Sequence, residues 1–125
     1  MINVAYYSLS GNTRDFISWY LADKVVAHNI EDGDLAVPYV LITPTYGRGE
    51  VPPAVAEWLV RNGDHLIGIA GTGNANWGDN FAKAVDIIAE QYGVPIVSKF
   101  ELKGTKAQAQ HFIDSVKRLY GRCED

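Results

Sequence analysis

Apolar residues gather in short continuous runs at 2–7, 39–43 and 66–70, each too brief for a helix and rich in strand-forming residues. Runs without polar alternation belong to strands buried on both faces of a parallel sheet. A fourth run, 96–102, alternates more, and a short apolar piece at 25–28 reads as an edge strand. Between the runs the spacing becomes helical. Phe16, Ile17, Trp19, Tyr20 and Leu21 place a first helix over 13–24. Val55, Trp58, Leu59 and Val60 place a second, opened by Pro52-Pro53 and stopped by Asn62-Gly63. A third covers 81–92, with Gly93 as its stop, and a fourth covers 106–120, with Phe112, Ile113, Val116 and Leu119 on one face. Trp19 and Trp58, at helix positions, are expected to pack in the core or between helices.

Strand, loop and helix recur about every 30 residues, the signature of right-handed βαβ units stacked around a parallel sheet. The expected fold is α/β: a three-layer sandwich with a five-stranded parallel sheet in the flavodoxin-like order 2-1-3-4-5, residues 1–125 forming a single domain. In such a sheet a ligand binds outside the carboxyl ends of the strands, where the order reverses between strands one and three. Three loops fall at that edge, 8–13, 43–50 and 71–79, and they are the stretches richest in Gly, Ser, Thr and Asn.

The first loop, Ser8-Leu9-Ser10-Gly11-Asn12-Thr13, links a buried strand to a helix and so offers an anion several backbone N–H groups and the positive end of a helix dipole. Ser8, Ser10 and Thr13 add hydroxyls, Gly11 permits close approach, and Asn12 tolerates a left-handed turn. No Lys-Ser/Thr pair closes the turn and the glycine spacing of a dinucleotide fingerprint is absent, so a monophosphate is the better match. An ordinary strand-to-helix turn capped by Asn12 or Thr13 is the plainer alternative. The other two loops mix glycine with aromatics. Tyr46 precedes Gly47-Arg48-Gly49, and Trp77 and Phe81 sit in or after Gly71-Thr72-Gly73-Asn74-Ala75-Asn76-Trp77-Gly78. Backbone groups of the glycines reach a ring edge while aromatics cover its faces. A phosphate at one end and a flat heteroaromatic at the other describe FMN.

Composition removes several other classes. Net charge is −4, which disfavours nucleic acid, and the one cysteine, Cys123, allows neither an internal disulfide nor a metal cluster. With no apolar signal core and no run long enough for a bilayer, a cytoplasmic protein without membrane contact is expected. His28, His65 and His111 are dispersed. A phosphatase would need a cysteine in the first loop, and a phospho-acceptor domain would need acidic residues where Tyr6-Tyr7-Ser8 and Thr43-Pro44-Thr45 stand.

The first loop resembles the phosphate loop of flavodoxins. A more specific resemblance is to the NrdI family, small flavodoxin-like accessory proteins of class Ib ribonucleotide reductase. It is carried by Pro44-Thr45-Tyr46-Gly47, Gly73-Asn74-Ala75-Asn76-Trp77-Gly78, Gly93-Val94-Pro95 and Phe100-Glu101-Leu102-Lys103-Gly104-Thr105, in the family's order across nearly the whole chain. The resemblance implies bound FMN whose reduced form reacts with O2 to give superoxide. That oxidant serves the dimanganese site of the reductase small subunit, where it drives assembly of the Mn(III)2–tyrosyl radical. It implies a redox-active accessory flavoprotein rather than a metabolic enzyme. The partners are the small subunit, a flavin reductant and O2, and the chain itself holds no metal. A monomer is the default.

Candidate cofactor contacts are Ser8, Ser10, Gly11, Asn12, Thr13, Pro44, Thr45, Tyr46, Gly47, Thr72, Gly73, Asn74, Asn76, Trp77, Gly78 and Phe81. No side chain is assigned as catalytic, since the chemistry is the flavin's. Gly47, whose peptide can adopt either orientation, and Arg48, a cation beside the anionic reduced ring, are candidate tuning residues. The partner is expected to cover residues 46–50 and 74–80. A short electron-transfer flavodoxin serving another redox partner, and a flavodoxin-fold interaction module without FMN, are the alternatives.

Overall fold

The computed structural model describes residues 2–8, 11–44, 50–73, 83–101 and 105–124. Five strands, β1 (Asn3–Tyr6), β2 (Val26–Asn29), β3 (Tyr39–Pro44), β4 (Leu66–Gly73) and β5 (Ile96–Glu101), form one sheet in the order β2-β1-β3-β4-β5. Every neighbouring pair is parallel. The α-helices among the described residues are α1 (Asn12–Phe16), which runs on into a π-helical turn (Ile17–Leu21), α2 (Pro53–Asn62), α3 (Lys83–Tyr92) and α4 (Lys106–Glu124).

Side-chain alternation along the central strands divides the interior into two cores. Val4, Val40, Ile42 and Ala70 meet Phe16 of α1, Leu21 of the π turn, and Phe112 and Val116 of α4. From the other face Ala5, Leu41 and Ile69 meet Val55, Trp58, Val85 and Ile88 of α2 and α3. The expected three-layer arrangement and strand order are therefore those of the molecule, and β1 and β3 are neighbours at the reversal point. Among the described residues no helix is long and apolar enough to cross a membrane.

Three local expectations are corrected. The first helix is not α-helical over 13–24: regular hydrogen bonding gives way to the π turn after Phe16, and residues 22–24 form a turn. Trp58 is buried as expected, with its indole N–H donating to the Gly33 carbonyl at 2.8 Å. Trp19, in contrast, is 60% exposed, because Phe16, Ile17 and Leu21 take the inward positions and leave the intervening indole on the outer side. Finally, Pro44 and residues 71–73 lie in strands rather than loops: Thr43, Pro44 and Thr72 continue the ladders, paired with Gly71, Thr72 and Phe100. Gly71 is required there by close packing. A Cβ on it would stand 2.1 Å from Val85 Cγ2 and 2.9 Å from the Thr43 carbonyl.

Candidate functional site

The carboxyl ends of β1, β3 and β4 converge where α1 begins. The β1–β3 ladder ends at Tyr6 and Ile42, and one further bond, from Tyr7 N–H to the Ile42 carbonyl at 3.2 Å, carries the chain to Ser8. Gly11 then turns the backbone with φ 88°, a left-handed conformation that glycine adopts without strain, and caps α1. The left-handed residue is thus Gly11 and not Asn12, which is already the first residue of the helix. The Asp15 N–H bonds the Gly11 carbonyl at 2.9 Å, fixing the turn, and the Arg14 N–H donates to Ser8 Oγ at 3.4 Å.

Hydroxyls line this edge of a largely apolar interior. The buried polar side chains among the described residues are Thr13, Thr43, Asn62 and Thr72, and the three threonines, 1%, 0% and 3% exposed, all belong to these chain ends. Thr13 Oγ1 and Thr72 Oγ1 lie 3.4 Å apart, joining the start of α1 to the end of β4. Thr43 Oγ1 donates to the Pro44 carbonyl at 3.0 Å. A hydroxyl carries one donor and two acceptor sites, so a single long contact leaves capacity for a ligand. Apolar residues would fill the same volume at lower desolvation cost, which makes three buried hydroxyls at one edge informative.

Arg14 supplies positive charge. Its guanidinium folds back over the turn, since a Cβ on Gly11 would meet Nη2 at 2.9 Å, and it also pairs with Asp15 at 3.7 Å. Among the described residues, burial raises Tyr39, and hydrogen bonds from Asn62 and Arg61 hold Asp34 low.

Ser8, Gly11, Asn12, Thr13, Pro44, Thr72 and Gly73 are therefore placed at one edge, Asn12 and Gly73 by their backbones. Ser10, Thr45, Tyr46, Gly47, Arg48, Asn74, Asn76, Trp77, Gly78 and Phe81 lie outside the described residues. Sequence reasoning misses two residues of the edge. Thr43 had a visible signal, a hydroxyl ending an aliphatic run, whereas nothing in one dimension places Arg14 over Gly11.

A family described as NrdI Flavodoxin like matches residues 4–114. Protein NrdI of Bacillus licheniformis is 41% identical over 123 residues, covering 95% of this chain and 90% of that protein. Protein NrdI of Macrococcus caseolyticus is 36% identical over 116 residues, covering 93% and 89%. Among solved structures, a short-chain flavodoxin associated with a non-canonical PDU bacterial microcompartment superposes with a TM-score of 0.72 at 18% identity, over 97% of each chain. Two-electron reduced Megasphaera elsdenii flavodoxin gives 0.69 at 16%, over 94% of this chain and 99% of its own. Fusobacterium nucleatum flavodoxin bound to flavin mononucleotide gives 0.57 at 15%, over 97% of each.

Proposed function

The chain belongs to the NrdI family of flavodoxin-like proteins, and from this we propose that it binds FMN at the carboxyl edge of the sheet and activates the small subunit of a class Ib ribonucleotide reductase. The observation that carries the cofactor is the set of buried threonine hydroxyls beside the left-handed Gly11 turn. The residues present fit a phosphate ester: they provide hydroxyls, backbone amides at the start of a helix, and a guanidinium over the turn.

The chemistry FMN supplies when bound is reduction of O2 to superoxide, the oxidant for the dimanganese site and its tyrosyl radical. The chain's own residues hold and shield. Ser8, Thr13 and the amides after Gly11 take the phosphate, with Ser10 and Asn12 as further contacts and Arg14 balancing its charge. Thr72 keeps Thr13 in place through their hydroxyl contact, and Pro44 and Gly73 end β3 and β4 at the same edge. Thr45, Tyr46, Gly47, Asn74, Asn76, Trp77, Gly78 and Phe81 would bind the ring, and Gly47 and Arg48 would tune it. The partner covers this edge, so that the oxidant passes from ring to metal without escape. The chain works as one domain and a monomer in the cytoplasm, reduced by a separate flavin reductant.

Reconstitution with FMN followed by incubation with the Mn(II)-loaded small subunit, reductant and O2 tests this reading. The expected result is a tyrosyl-radical signal in electron paramagnetic resonance that is absent without the protein. A flavin-loaded protein that gives no radical above that control favours the short electron-transfer flavodoxin. Failure to retain FMN defeats the cofactor assignment itself.

A further inference from the structure

A groove of about 600 Å³ runs between the π turn after α1 and the first turns of α4, lined by Trp19, Tyr20, Lys24, Lys106, Ala109 and Gln110. Its body is built from the Trp19 and Tyr20 rings, which meet edge to face with centroids 6.4 Å apart. Its charged groups are Lys24 and Lys106, neither of which forms an ion pair with a described residue, while Arg14, Arg61 and Lys99 each do. Among the described residues no acidic side chain lines it. The Gln110 amide donates along the helix to Asp114 at 3.0 Å. Thr105 caps the start of α4 by accepting from the Gln108 N–H at 3.1 Å.

An aromatic body flanked by two unneutralised ammonium groups suits an amphipathic acidic segment better than a compact anion. The chain as a whole carries −4, so an acidic partner is repelled by most of the surface and drawn to this strip. Residues 102–105 alone separate the end of β5 from α4, which sets the groove beside the edge that the partner covers. We propose that this groove docks an acidic segment of the reductase small subunit through one large apolar anchor against Trp19 and Tyr20, with carboxylates on Lys24 and Lys106. The inference rests on the partner assigned above.

The test measures the affinity of the FMN-loaded full chain for the small subunit at two salt concentrations, for the wild type, Trp19→Ala, the double variant Lys24→Glu/Lys106→Glu, and Lys24→Arg/Lys106→Arg. Thermal melts and FMN affinity verify that the variants are folded and loaded. The expectation is about tenfold weaker binding for Trp19→Ala and for the charge reversal, with a shallower salt dependence in the latter. The arginine pair should bind within about twofold of wild type. Unchanged affinity in Trp19→Ala and the charge reversal overturns the groove while leaving the partner intact. A wild type that does not bind the small subunit overturns the partner and the groove together. Sedimentation showing that the charge reversal dissolves a self-associated form assigns the groove to a second copy and also overturns the proposal.

Discussion

The two ends of the sheet handle their polar groups in opposite ways. At the amino end, side chains lace helices to strands. Tyr120 Oη accepts from the Asn3 N–H at 2.8 Å and lies 2.7 Å from the Pro38 carbonyl, tying α4 to the start of β1 and to the entry of β3. Asn62 accepts from the Leu35 N–H at 3.0 Å, donates to Asp34 at 3.1 Å and to the Trp58 carbonyl at 3.0 Å, and receives the Tyr39 hydroxyl on its own carbonyl at 2.8 Å. At the carboxyl end, Thr13 and Thr72 meet through one contact of 3.4 Å, and Thr43 bonds its neighbour in sequence. The first end spends its hydrogen bonds on the fold, and the second keeps capacity for a ligand. Shape at the carboxyl end must then come from packing.

That division predicts its largest effect at Gly71. In Gly71→Ala the new methyl enters the space of Val85 Cγ2, 2.1 Å from the ideal Cβ, with the Thr43 carbonyl at 2.9 Å blocking retreat. Overpacking of this kind costs about 3 kcal/mol. Urea denaturation is expected to show that loss, and Val85→Ala in the same chain is expected to recover part of it. A stable single variant would mean that α3 is held more loosely than its contact with β4 indicates.

The contrast between the ends also sorts what the sequence discloses. The strands are legible because burial on both faces demands continuous apolar runs, as at 39–43, and their number and the chain length select the order. Ser8, Gly11 and Thr13 are legible because residue type and a strand-to-helix position carry the chemistry together. The lacing is not, since Asn62 and Asp34 stand 28 residues apart and either reads as a loop or cap residue alone. Trp19 misleads because its apolar type suggests burial, whereas the π turn and its three inward neighbours leave it outside. Residues 71–73 mislead because Gly-Thr-Gly has loop composition, whereas ladder bonds and the approach of Val85 make it strand.

Paired substitutions sharpen the comparison. Asn62→Ala removes three side-chain hydrogen bonds of a buried residue, among them the one to the part-buried Leu35 N–H, so stability is expected to fall by about 2 kcal/mol while FMN affinity of the folded protein holds. Thr13→Val keeps the side-chain volume and removes the hydroxyl beside Thr72. Its melting temperature without flavin is expected to stay near wild type, with FMN bound about tenfold more weakly, a loss of about 1.4 kcal/mol. Fluorescence titration with FMN alongside thermal melts separates the two. Reversed results, with affinity lost at Asn62 and stability at Thr13, would erase the distinction between the ends.

The smallest effect belongs to Tyr39, at the amino end. Burial, and secondarily the charge of Tyr92, raise the phenol well above its ordinary value near 10. The unfolded chain therefore ionises Tyr39 first. Its contribution to stability is complete below pH 10 and is lost progressively as pH climbs from there toward the raised folded value. Tyr39→Phe deletes the bond to the Asn62 carbonyl and is expected to cost about 1 kcal/mol at neutral pH. It also removes the ionisable group, so the gap between variant and wild type should narrow as pH passes 10 upward. Urea midpoints compared from pH 8 to 11 read that gap directly. A gap that stays constant would show that the phenol ionises alike in the folded and unfolded chain, and the amino end would then be less sealed against water than its hydrogen bonds imply.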